Sequence, residues 1–369
     1  MIYLDNGATS FHKPPEVSRA VVRALTSCAN PGRGGYGAAM EAANQVYRCR
    51  EAAARLFGCS PEQVVFTSNC THALNIAIRS LVQPGDRVVI SGFDHNAVTR
   101  PLHALGAEML VAGRKLFDWE DTLTAFEDAL KKKPKAAVFA HVSNVFGYIL
   151  PAAEMAELCR KYGVPFVMDA AQSAGVLEVD LEKLGADFIA MPGHKGLLGP
   201  QGTGLLLCRE GAEPLLYGGT GSESIRQEMP DFLPDRLEAG TLNVPGIAGL
   251  EAGLSWLERT GIRSIFAREH RQLEAAVRGL ENLGMRVFRG PHQAGTVSFL
   301  PGMDCEEAAG LLAKQGIAVR AGLHCAPLAH ESAGTLDSGT VRVSFGMDAD
   351  SRQTQALLRA ASKLPGWKG

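Results

Sequence analysis

The sequence predicts an α/β fold built on a mostly parallel sheet, followed by a smaller α+β region. Three observations lead there. Short runs rich in Val, Ile and Phe alternate with stretches of helical periodicity, each run gives way to a polar loop, and from about Ile247 the order changes to long helices with strands between them. At 369 residues the chain exceeds what one hydrophobic core usually fills, so a large and a small domain are expected. The large one covers residues 14–246. The small one covers residues 247–369 together with the N-terminal segment 1–13, and the boundary lies in 218–245, a stretch dense in Gly, Pro and Asp.

The expected strands of the large domain are 64–67, 87–91, 136–142, 164–168, 187–190 and 204–208. They read as nearly unbroken apolar runs, the pattern of strands buried on both faces. Helices fit 40–56, 71–81, 119–132 and 151–161, the last opened by Pro151 at its first turn. Beyond Ile247 come two long helices, a strand at 296–300, a helix, strands at 317–320 and 341–345, and a final helix.

Composition narrows the function classes. With 46% hydrophobic residues, 21% charged residues and a net charge of -2, nothing favours nucleic acid or an anionic membrane as partner. The N-terminus MIYLDNGATS has neither the basic nor the apolar region of a secretory signal, so a cytoplasmic location is expected. Eight cysteines are scattered without a Cys-x-x-Cys pair, which fits reduced thiols and no metal site. Gly32-Arg33-Gly34-Gly35-Tyr36-Gly37 has dinucleotide-loop spacing, but Asn30-Pro31 precedes it where a strand is required.

Ligands of open α/β sheets bind beyond the carboxyl ends of the strands, so those ends carry the chemistry. After the first expected strand, Ser68-Asn69-Cys70-Thr71-His72 enters a helix; it is either a plain N-cap or a phosphate site at the helix N-terminus. Asp94-His95-Asn96 follows the second and His141-Val142-Ser143-Asn144 the third. The next run ends in Asp169-Ala170-Ala171-Gln172. A carboxylate at the end of a buried strand needs a partner, and a protonated ring nitrogen is one. Lys195 stands in the glycine-rich segment 192–204. Its ammonium can lose a proton in a partly desolvated site and then react with an aldehyde, unless it is a plain surface lysine. Asp169, Gln172, His194 and Lys195 all follow consecutive strands and should converge.

At these residues the sequence resembles the class V aminotransferase family, and within it the cysteine desulfurases and selenocysteine lyases of the second, short-loop group. The match begins at Tyr3-Leu4-Asp5-Asn6-Gly7-Ala8-Thr9 and extends to the C-terminal helix. The resemblance implies fold type I of the pyridoxal phosphate enzymes and a homodimer with shared active sites. Lys195 would carry pyridoxal 5'-phosphate as a Schiff base, Asp169 would hold the pyridinium proton, and Gln172 the phenolic oxygen. His95 would stack on the ring, with Asn144 beside it. Thr71, the His72 amide and His194 would take the phosphate, joined by Thr241 of Glu238-Ala239-Gly240-Thr241-Leu242-Asn243 from the neighbouring subunit.

The segment Arg320-Ala321-Gly322-Leu323-His324-Cys325-Ala326-Pro327 resembles the short loop that bears the nucleophile, making it Cys325. Arg320, His324 and His330 are expected to lower its thiol pKa. Cys305, at a predicted helix start, lacks the motif. Arg342 would clamp the substrate carboxylate with help from Asn144 and Arg320. Two positions depart from the family pattern. Pro192 stands where relatives carry a phosphate-binding serine, and a histidine of some relatives is absent around Gly32 to Gly35, although Arg33 is present. The implied activity is conversion of L-cysteine to L-alanine, with persulfide sulfur left on Cys325 for an acceptor protein. A selenocysteine lyase or a cysteine β-lyase would use the same fold, whereas a non-catalytic scaffold would have no need of Lys195, Asp169, His95, Cys325 and Arg342 together.

Overall fold

The apolar runs of the first half assemble one sheet, and the strands after Ile247 assemble another. The computed structural model describes residues 1–32 and 34–365. The chain starts with β1 (Ile2–Tyr3), α1 (Pro15–Ser27), α2 (Gly37–Phe57), β2 (Val64–Thr67), α3 (Cys70–Leu81), β3 (Arg87–Ser91), α4 (Asn96–Ala104) and β4 (Glu108–Ala112). It continues through α5 (Trp119–Leu130), β5 (Ala136–Ala140), α6 (Ala152–Tyr162), β6 (Phe166–Asp169), α7 (Leu181–Leu184), β7 (Phe188–Pro192) and β8 (Gly204–Cys208). After α8 (Val244–Thr260) and α9 (Ile262–Asn282) come β9 (Arg286–Phe288), β10 (Thr296–Leu300), α10 (Cys305–Lys314), β11 (Ile317–Ala318), β12 (Arg320–Gly322), α11 (Pro327–Ala333), β13 (Thr340–Ser344) and α12 (Ser351–Ala361).

The large sheet has the order β2-β8-β7-β6-β5-β3-β4, parallel from β7 to β4 and antiparallel where β8 joins β7 and β2. This is the α/β fold the sequence predicts. Side chains alternate between two cores: Val64, Phe66, Val89, Ala137 and Phe139 pack on one face, Val65, Val88, Ile90, Ala136 and Val138 on the other. The period of two explains why the runs are apolar throughout. From β3 the chain first builds β4 outward and then crosses to place β5 on the other side. The carboxyl ends of β3 and β5 therefore open a crevice, the place where such sheets bind ligands.

The second sheet, β12-β13-β10-β9, is antiparallel and shares a core with α9, α10 and α12. The expected strand at 317–320 divides in two. Ile317–Ala318 pairs with β1, bringing the N-terminus here, while Arg320–Gly322 pairs with β13. Strands β1, β4 and β9 and helices α1, α4, α7 and α11 were not anticipated.

Candidate active site

Five strand ends of the large sheet, those of β2, β3, β5, β6 and β7, converge on one cavity. Thr71, His95, Asn144, Asp169, Gln172 and Lys195 line it, with Pro192 and His194 at its edge. The convergence expected of Asp169, Gln172, His194 and Lys195 is therefore observed.

Asp169 closes β6 and is 4% exposed. Its Oδ1 accepts the Ala171 N–H at 2.8 Å and the Cys70 thiol at 3.5 Å. Burial, reinforced by the Asp169 charge, pushes the Cys70 thiol well up, so it stays a protonated donor. Among the described residues Oδ2 has no hydrogen-bond partner. Lys195 lies in the segment joining β7 to β8. Burial lowers its pKa, against the opposing pull of Asp169.

Backbone contact sets the spacing of these two groups. Gly175, at φ +85°, lies against Gly196; a Cβ at 175 would meet the Gly196 oxygen at 2.2 Å, and one at 196 would meet the Ala174 oxygen at 2.3 Å. The turn that follows Asp169 is thus packed directly on the segment that carries Lys195.

His95 caps α4, its Nδ1 accepting the Ala97 N–H at 2.9 Å. The ring proton must then sit on Nε2. Burial lowers the pKa, so the ring is held neutral. Asp94, whose role was not legible in the sequence, fixes this turn: its Oδ2 accepts the Ser91 N–H and its Oδ1 the Ala140 N–H, both at 2.6 Å. It thereby joins the ends of β3 and β5.

At the start of α3 the plain N-cap is realised. Asn69 caps the helix and accepts the His72 N–H at 2.9 Å, so in this structure that amide is occupied; Thr71 is exposed at the cavity. Gln172 Nε2 donates to the Gly7 carbonyl at 3.0 Å. His194 Nδ1 lies 3.0 Å from Thr9 Oγ1, and burial pushes its pKa down to about 4.

All eight cysteines are free, and Cys325 is the exposed one; Cys305 is buried. His324 and Cys325 both adopt left-handed backbone, at φ 51° and 57°. Two hydrogen bonds hold them there, from Asn144 Nδ2 to the His324 carbonyl at 2.7 Å and from the Asn96 N–H to the Cys325 carbonyl at 2.8 Å. The expectation that His324 and His330 lend positive charge to the thiol is corrected. Both are buried, and burial pushes them down to about 3 and about 4, so they are neutral near pH 7. Arg320 is exposed on β12, directly opposite Arg342 of β13.

Arg342 is 2% exposed. Its Nη1 donates to the Asn144 carbonyl at 2.9 Å and its Nη2 to Asp5 Oδ1 at 2.6 Å. Nε of Arg342 and Oδ1 of Asn144 are buried without partners. Such orphaned groups cost free energy unless a ligand or water meets them.

Thr241 is not brought to this cavity. It is exposed in a separate cleft with Asn30, Tyr47 and Glu238. Glu238 pairs with Arg50 through Oε1–Nη1 at 2.9 Å and Oε2–Nη2 at 2.5 Å and also accepts the Phe66 N–H at 2.6 Å. Arg33 lies outside the described residues.

On the far side of Lys195 and Gln172 is a second cavity, walled by Glu269 of α9. This carboxyl is 5% exposed and has no hydrogen-bond partner among the described residues. Burial, then the nearby Asp348 charge, pushes its pKa up to about 8. Its helical spacing gave no sign of this in the sequence.

Known proteins resemble this chain over nearly its whole length. Residues 2–357 match the family model described as Aminotransferase class-V. A probable cysteine desulfurase of Methanothermobacter thermautotrophicus is 33% identical over 99% of this chain and 95% of its own length. One of Pyrococcus abyssi is 32% identical over 99% and 94%. Among solved structures, an apo cysteine desulfurase from Thermococcus onnurineus is similar with a TM-score of 0.89 at 33% identity, covering 98% of this chain and 94% of that one. A cysteine desulfurase from Escherichia coli gives a TM-score of 0.82 at 27% identity, with the same coverage. From its first strand to its last helix, this chain belongs to the class-V aminotransferase family.

Proposed function

We propose that the chain is a pyridoxal phosphate-dependent cysteine desulfurase that converts L-cysteine to L-alanine and leaves persulfide sulfur on Cys325. One observation carries the reading: the Cys325 segment is docked by Asn96 and Asn144 onto the mouth of the cavity that holds Lys195 and Asp169. The curated relatives and solved structures of the same name support it.

The residues present fit the cofactor. Asp169 Oδ2 is open to a ring N–H, His95 offers a flat neutral face, Thr71 a hydroxyl at the start of α3, and Lys195 an amine whose pKa is lowered. When bound, pyridoxal phosphate supplies an electron sink for negative charge at the substrate Cα. We assign Lys195 to binding the aldehyde and to moving the Cα proton. Gln172 would orient the ring oxygen, and Thr71 and His194 would hold the phosphate, joined by the His72 amide if it gave up its bond to Asn69. The buried orphans Arg342 Nε and Asn144 Oδ1 receive the polar ends of the amino acid, with Arg320 adding charge from the facing strand. Cys325 Sγ attacks the substrate sulfur, so that an S–S bond forms as the Cβ–S bond breaks, and His95 Nε2–H is the proton source on the ring face.

A homodimer belongs to the same proposal, because Thr241 is displaced from its own chain's cavity. Tyr47 beside it in the cleft is exposed, as are Tyr36 and Met40 shortly before it in the chain and Leu216 and Tyr217 just before the cleft-lining Gly219, large apolar side chains suited to a second copy. Residues 14–246 would form the cofactor unit and 247–369 with 1–13 the unit bearing Cys325. Free cysteines fit a cytoplasmic location, and no helix among the described residues is long and apolar enough to cross a membrane. An acceptor protein takes the sulfur.

The test is product analysis. Purified holoprotein given L-cysteine and a reductant should yield equal alanine and sulfide. Cys325→Ala should lose this while keeping visible cofactor absorbance, and Lys195→Ala should lose that absorbance. Absence of alanine in the wild type, or full cysteine activity in Cys325→Ala, refutes the reading.

A further inference from the structure

The N-terminal segment reaches into the surroundings of Arg342. Asp5 forms a parallel bridge with Ser344 of β13, and the Gly7 N–H donates to Ser344 Oγ at 2.7 Å. The Tyr3 hydroxyl donates to the Asp5 carbonyl at 3.1 Å and to the Thr9 carbonyl at 2.9 Å, fixing the backbone between them. Gly7 covers the guanidinium so closely that a Cβ there would stand 3.3 Å from Cζ. The carboxylate of Asp5 then takes Nη2 at 2.6 Å while the Asn144 carbonyl takes Nη1 at 2.9 Å. Two anchors at one end set the plane of the group and leave its other edge, Nε–H, without a partner. Arg320 lies across the strand pair, so two positive charges share this corner with the Asp5 carboxylate.

We propose that Asp5 is a positioning residue for recognition of the substrate carboxylate. It turns Arg342 so that the Nε edge is presented to the amino acid, and it offsets the mutual repulsion of Arg342 and Arg320. A single anchor would leave the guanidinium free to swing about Nη1. This inference rests on the reading of Arg342 as the carboxylate site.

The test uses the holoenzyme with Asp5→Ala, Asp5→Asn and Arg342→Ala. Steady-state desulfuration gives kcat and KM for L-cysteine. Titration of cofactor absorbance gives Kd for L-alanine and for cysteamine, an amine without a carboxylate. Asp5→Ala should raise KM and the alanine Kd by about tenfold with little change in kcat, and Asp5→Asn, which keeps the acceptor but not the charge, by about threefold. Cysteamine binding should be unchanged in both. If Asp5→Ala does not fold, the threefold loss in Asp5→Asn decides. Unchanged alanine binding overturns the proposal; tighter binding does too, and makes Asp5 a competitor for the arginine. Should Arg342→Ala also leave alanine binding intact, it is the assignment of Arg342 that fails.

Discussion

The Cys325 carbonyl accepts the N–H of Asn96 at 2.8 Å, and Asn96 directly follows His95. The exposed thiol and the cavity-lining histidine are therefore linked through one peptide group. Asn96 is the first residue of α4, where proline is tolerated, and His95 at φ -78°, ψ 156° already has the extended backbone that precedes a proline. Asn96→Pro should keep the fold while removing this donor, together with the long contact of Thr99 Oγ1 to Asn96 Oδ1 at 3.5 Å. We expect desulfuration to fall by about tenfold and alkylation of Cys325 by iodoacetamide to quicken, for the loss of one bond worth about 1 kcal/mol. Kinetics and mass spectrometry of the labelled protein check both.

Left-handed backbone at Cys325 costs a residue with a Cβ about 1–2 kcal/mol. Cys325→Gly should accordingly be more stable than Cys325→Ala by about 1 kcal/mol, after allowing for glycine's freedom in the unfolded chain. Neither should make alanine from cysteine. Denaturant melts of the two variants, side by side, measure the difference.

The unpartnered Glu269 sets a pH dependence. Its pKa rises from 4.5 to about 8 on folding, so between these values the folded state binds a proton that the unfolded state has lost. Stability must then fall as pH rises through this window. Glu269→Gln removes the titration. The variant should match the parent at pH 5 and exceed it by about 1–3 kcal/mol at pH 9, read from denaturant melts at the two pH values.

The buried Arg50–Glu238 pair anchors the segment that leads to Thr241 onto α2 and β2. Removing one partner strands the other charge. Glu238→Ala should cost about 3–5 kcal/mol, and it should loosen the Thr241 segment to proteolysis before the large sheet melts. Limited proteolysis with mapped fragments would locate the first cut.

The large sheet was legible because strands buried on two faces have no polar interruption; all but one of its strands were expected from such runs. Strand β4 escaped because it is an edge, half-exposed and opened by Glu108. Helix α4 escaped because it is short and holds Pro101. In the site, Asp169 and Lys195 were legible as polar residues stranded after apolar runs. The neutrality of His324 and His330 was not, since burial of a loop by residues far along the chain leaves no local mark. Asp94 and Glu269 were silent for the same reason: one is defined by its bonds across two strands, the other by having none.

The contact between Gly175 and Gly196 has a wider consequence. With no side chain between them, the two stretches of backbone are in direct contact, so the turn after Asp169 and the segment bearing Lys195 cannot shift relative to each other without disturbing that packing. Whatever is held between Lys195 and Asp169 is gripped from one packed unit, whereas the Cys325 segment is fastened at the same cavity by the hydrogen bonds from Asn96 and Asn144. The grip on a ligand and the placing of the thiol thus rest on different kinds of contact, backbone packing in one case and hydrogen bonds in the other.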